Sequence, residues 1–150
     1  MTKSFTMIEL IFVIVILGVL AAVAIPRYFI IEQQAQANIA KAFAGTLYRT
    51  VGHSLWAKSL SMGAGGSIKA DSDGDPSKFY GRPLSVYVTI PKYFDKTSVD
   101  FDNCVDAGES AQPFIRKKDG SGGTYNIFCR DGNSTNAPYF VADEHDTYQF

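Results

Sequence analysis

The chain has 150 residues, enough for one modest domain and an additional element. Hydrophobic residues make up 46% and charged residues 19%, which excludes a disordered chain. The formal net charge of -1 gives no electrostatic footprint for nucleic acid or an anionic membrane surface.

The apolar residues crowd the N-terminal end. From Leu10 to Ile25 every residue is apolar or glycine, and back to Phe5 only Thr6 and Glu9 interrupt the run. A helix over residues 5–25 spans about 31 Å, close to one bilayer core. A secretory signal has a shorter apolar core and a small-residue cleavage site after it. Here Ile25-Pro26-Arg27-Tyr28 offers no such site, and a carboxylate lies inside the run. A single-pass N-terminal anchor satisfies the hydropathy but leaves Glu9 unexplained. An ionised carboxylate at membrane depth costs about 2.5–3.5 kcal/mol on insertion scales, so Glu9 needs a partner. Lys3 before the run and the positive-inside rule place the remainder outside the cytoplasm, weakly opposed by Arg27.

Residues 1–28 read MTKS-FTMIELIFVIVILGVLAAVAIPRY. This segment closely resembles the class III signal of type IV prepilins and type II secretion pseudopilins. The resemblance implies a leader, Met1–Ser4, removed by a prepilin peptidase between Ser4 and Phe5. The family's usual residue before the cut is Gly, where this chain has Ser4. Phe5 would then be the N-methylated terminus and Glu9 the fifth mature residue. Pro26 falls at the position where the family commonly carries a proline. The implied role is a structural subunit, not an enzyme, that polymerises through its apolar helix into a pilus, a secretion pseudopilus or a DNA-uptake filament. The implied partners are its own copies, related minor pilins, the peptidase and methyltransferase, an inner-membrane platform protein and an assembly ATPase. The precursor would sit in the inner membrane with its head in the periplasm. Within one helix the Phe5 amine and Glu9 lie about one turn apart. Between neighbouring subunits the same pair would set axial register. A membrane-anchored binding module that does not polymerise is the second reading.

Past the membrane segment, Ile31, Ala35, Ile39, Phe43, Leu47, Val51 and Leu55 recur every four residues. This predicts one long helix from about Thr6 to Leu60, bent at Pro26, whose amphipathic part (27–60) clamps a C-terminal head. Residues 61–83 turn Gly-, Ser- and Asp-rich and read as a loop from helix to sheet. The head, 84–150, holds the strand-like segments. Leu84–Ile90 alternates, Pro113–Ile115 and Thr124–Phe128 flank a glycine-rich tip as a hairpin, and Pro138–Ala142 ends the series. The prediction is an α+β fold, a long helix packed on an antiparallel sheet of three or four strands.

Cys104 and Cys129 have neither C-x-x-C spacing nor nearby histidines. Outside the cytoplasm a disulfide is favoured over two free thiols. Asp71, Asp73 and Asp75 alternate as at the start of a calcium loop, but the sixth position is Pro76 and the twelfth is Arg82. Major pseudopilins bind calcium in the head, so Ca²⁺ at these aspartates stands beside the simpler reading, a solvated acidic turn. Asn133-Ser134-Thr135 is an N-glycosylation acceptor pattern. With Asp131 it also resembles the bacterial form of that signal, and an ordinary polar turn explains the same residues. His53 and His145 belong to no catalytic pattern. Arg116-Lys117-Lys118 is too short a basic run to argue for nucleic acid.

Overall fold

The computed structural model describes residues 5–69, 75–120 and 123–150. The fold is α+β, with a long N-terminal helix and small antiparallel ladders. The chain divides into two compact units, Met1–Gln34 and Ala35–Phe150. Helix α1 runs Met7–Thr46, passes without a break through Pro26, and belongs to both.

In the first unit every described residue is exposed. Phe12, Ile14, Leu17, Leu20 and Ile25 are each more than half exposed, on every side of the helix. Among the described residues, one helix is long and apolar enough to cross a membrane by length and composition.

The second unit has a core. α1 continues as a wide π-helical turn, Leu47–Gly52, then as helix α2, His53–Ser61. The buried helix positions are Ala40, Phe43, Ala44, Leu47, Val51, Gly52, Leu55 and Ser59. Among them Phe43, Leu47, Val51, Leu55 and Ser59 keep the four-residue spacing. In a regular α-helix, four residues overshoot a turn by about 40°, so a strict stripe of fours drifts off its face. The π turn takes up the excess residue and returns Val51, Leu55 and Ser59 to the face that Phe43 opened. Upstream there is no such turn, and Ile31 and Ile39 lie exposed instead of packed. α2 ends in a Schellman motif. Gly63 N–H donates to the Leu60 carbonyl (3.2 Å) and Ala64 N–H to the Ser59 carbonyl (3.0 Å), with Gly63 at φ 78°.

The head differs from the predicted sheet. Its described residues form three two-stranded ladders: β1 (Lys78–Phe79) with β2 (Arg82–Pro83), β3 (Ser110–Ala111) with β6 (Tyr148–Gln149), and β4 (Asn126–Arg130) with β5 (Tyr139–Asp143). β5 is the predicted last strand, paired in register from Asn126↔Asp143 to Arg130↔Tyr139. The segment before the glycine-rich tip does meet β4, through the bridge Ile115↔Ile127, with Phe114 N–H also on the Ile127 carbonyl (2.7 Å) and Lys117 N–H on Asn126 Oδ1 (3.0 Å). Leu84–Ile90 is not a strand. Leu84–Val86 forms a 3₁₀ turn, with Tyr87 N–H on the Leu84 carbonyl (2.9 Å). Pro83 and Pro91 bracket the segment and remove ladder donors, so its β-branched residues have no edge to extend. Lys78–Pro83, expected as loop, is a hairpin instead. Tyr80 (φ 48°) and Gly81 (φ 70°) supply its two left-handed turn positions.

Candidate functional site

The helix start is built by two side chains. Thr6 N–H and Thr6 Oγ1 both donate to Glu9 Oε2 at 2.9 Å, and Glu9 N–H donates to Thr6 Oγ1 at 3.3 Å. This is a reciprocal capping box, which satisfies amides that a helix N-terminus leaves unpaired. The T-x-x-E pattern that signals it is present in the sequence, and the reading of Glu9 as a charge awaiting a partner passed over it. Phe5, just before the cap, is 80% exposed. Ser4, the other side of the expected cut, lies outside the described residues. Pro26 has no amide to give the Ala22 carbonyl, yet the helix continues through it.

Cys104 and Cys129 form a disulfide. Cys129 lies in β4, and Cys104 follows the 3₁₀ turn Phe101–Asn103. The chain beyond Cys104 runs beside β4. Val105 N–H donates to the Cys129 carbonyl (3.2 Å), and Asp131 N–H donates to the Val105 carbonyl (2.7 Å).

After β4, the loop 131–136 locks against the segment that follows α2. Asp131, buried at 8% exposure, accepts at Oδ1 from Ile68 N–H (2.7 Å) and Gly132 N–H (2.8 Å), and at Oδ2 from Ser67 Oγ (2.5 Å). Burial pushes its carboxyl above the usual range, against these donors, which favour the ionised form. Trp56 Nε1 donates to the Asn133 carbonyl at 2.7 Å. Gly66, at φ 89°, sits so close that a Cβ would lie 2.2 Å from the Asn133 carbonyl oxygen. Asn133 itself is exposed. Its Oδ1 accepts from Thr135 N–H (2.9 Å), Thr135 Oγ1 (2.9 Å) and Asn136 N–H (2.8 Å).

Of the three aspartates considered for calcium, Asp71 and Asp73 lie outside the described residues. Asp75 Oδ1 takes Ser77 N–H (3.0 Å) and Ser77 Oγ (2.6 Å), and its Oδ2 pairs with Lys78 Nζ at 2.6 Å. The Lys78 ammonium, then the Ser77 hydroxyl and amide, pull its carboxyl down to about 2. A cation at Asp75 would compete with the Lys78 ammonium for the carboxylate. Among the described residues no three His, Cys, Asp or Glu side chains gather as a metal site. His53 lies between the rings of Tyr48 (5.4 Å) and Trp56 (6.3 Å), and His145 Nδ1 pairs with Asp143 Oδ1 at 2.5 Å. Arg116–Lys118 is the edge of a short pairing with 93–95, in which Asp95 N–H donates to the Arg116 carbonyl at 2.9 Å.

Comparison with protein-family models, with curated proteins and with solved structures finds no match. The likeness to prepilins therefore rests on residues 1–28.

Proposed function

We propose that this chain is the structural subunit of a type IV pilus-like filament. It inserts in the inner membrane as a single-pass precursor, loses Met1–Ser4, and polymerises through the apolar part of α1. The observation that carries this reading is the uncovered apolar helix of the first unit, continuous with the helix that holds the head together. A surface so apolar must be covered by lipid or by other chains. In lipid, helix packing has little direction, because lipid tails are as apolar as the side chains. A released Phe5 amine paired with the Glu9 carboxylate of a neighbour would supply the axial register that packing lacks. The same pairing would neutralise both charges on entry to the filament core. The disulfide supports a head outside the cytoplasm.

The capping box favours a second reading, an anchor that does not polymerise, because Thr6 already gives Glu9 an intrachain task. Two substitutions separate the tasks. Gln is accepted at the third position of a capping box, so Glu9→Gln keeps the helix start and removes the charge. Glu9→Val removes both. We expect intact-mass measurement to show a wild-type chain beginning at methylated Phe5. Both variants should insert and be cleaved, and both should lose filaments by electron microscopy. Wild-type filament yield from Glu9→Gln would leave the charge without a role and the assembly resting on the apolar helix alone, whereas a wild-type chain that forms no filaments would favour the anchor.

A further inference from the structure

We propose that Asn133 is an N-glycosylation site, taking its sugar from a polyprenyl-pyrophosphate donor after the head is exported. The acceptor pattern needs an exposed Asn with a hydroxyl residue two positions on, and Asn133-Ser134-Thr135 meets it on an exposed loop. The geometry around the side chain adds what the pattern alone lacks. The donors on Oδ1 include two backbone amides, which only donate, so the carboxamide oxygen must face the loop. Nδ2, on the other side of the carboxamide, therefore faces away from those bonds.

The transfer balances simply. Nδ2 attacks the anomeric carbon of the lipid-linked sugar, and an N–C bond forms as the C–O bond to pyrophosphate breaks. The polyprenyl pyrophosphate leaves with the electron pair, and a proton from Nδ2 passes to a base on the transferase. The product keeps Oδ1 and every hydrogen bond it accepts. The glycan is thus added to the amide nitrogen and not to the oxygen that holds the turn, on a loop pinned by Asp131, Trp56 and Gly66.

A purely structural role for Asn133 makes a different demand. The turn needs only the acceptor oxygen, which Asp supplies as well as Asn. The test is peptide mapping of the full chain purified from its own cells, where trypsin releases residues 131–150 as one fragment, since no Lys or Arg follows Arg130. We expect that fragment to carry added sugar mass, retained in Thr135→Ser and lost completely in Asn133→Asp and Thr135→Ala. Asn133→Asp should melt as wild type, because the turn survives. An unmodified wild-type fragment, or sugar that persists in Asn133→Asp, overturns the proposal. The proposal rests on export of the head, and Cys104–Cys129 reports on that in the same sample. An oxidised pair with bare Asn133 removes the glycan site alone, whereas free thiols with bare Asn133 remove the export reading as well.

Discussion

Asp131 is held by two amides and a hydroxyl in a place that water scarcely reaches, so its proton is linked to folding. Its folded pKa lies above the unfolded value of 3.8. Folding therefore takes up a proton between the two values. The stability tied to that proton is full below 3.8 and is lost as pH rises through the folded pKa. Asp131→Asn keeps an oxygen for Ile68 and Gly132 and has nothing to titrate. The variant's melting temperature, followed by the fluorescence of Trp56, the single tryptophan, should fall less than wild type as pH rises from 3.5 to about 6. Equal slopes would show that the carboxyl titrates alike in both states. Beside it, Gly66→Ala forces a side chain onto a positive φ and into the Asn133 carbonyl. We expect a loss of about 3 kcal/mol or more, read by denaturant unfolding of the head. A loss under about 1 kcal/mol would mean that the loop yields. None of this junction is legible in the sequence, because contacts between residues 66 and 133 have no local pattern. The Thr6–Glu9 box was legible and was missed, because the same glutamate answered to a second pattern.

At the scale of elements, legibility follows how local the cause is. The long helix was readable because its signals are an apolar run, a four-residue repeat and a scarcity of Gly and Pro. The repeat of fours was also a trace of the π turn, since a strict α-helix would bring alternate threes and fours to one face. Thr46 and Thr50, which bond back to the Ala42 (2.9 Å) and Thr46 (2.7 Å) carbonyls, mark the same place. Strands fared worse. The expected strand Pro138–Ala142 overlaps β5, because a short apolar, β-prone run coincides with a real partner, β4. Leu84–Ile90 alternates but has no strand partner among the described residues, and its Tyr87 and Val88 amides bond locally to the Leu84 carbonyl. Tyr80-Gly81 lacks the Asn-Gly signature of its turn, and Phe79 and Tyr80 hold the hairpin to α2 through Lys58, whose ammonium lies 5.9 and 5.1 Å from their rings.

For the whole molecule, the division at Gln34 separates a part whose described residues are all exposed from a part with its own core. The head's cohesion is spread over short ladders, so a covalent link counts for more than in a broad sheet. Cys104 and Cys129 are 25 residues apart, and closing that loop is worth about 3.5 kcal/mol in the chain-entropy model. Replacing both with Ala should lower the unfolding free energy of the head by about that amount. In hydrogen exchange, amides of 104–130 should lose protection before those of α2. Simultaneous loss across the head would show that the disulfide governs the whole unit and not the loop it encloses.

The wide turn at Leu47–Gly52 gives the helix one residue more than an α-helical path needs. In terms of chain length it is slack, held at one place. Removing exposed Thr50 should let the turn tighten to α-helix while Leu47 and Leu55 keep facing the core. Removing Ala57, also exposed but inside regular α2, should swing everything after it by about 100° and pull Gly66 out of its seat against Asn133. The first deletion should fold with its disulfide formed and Trp56 emission unchanged, and the second should not. If both fold or both fail, the turn holds no slack. If they differ as expected, a single-residue deletion at 47–52, unlike one inside α2, is a length change this chain can accept without altering its core.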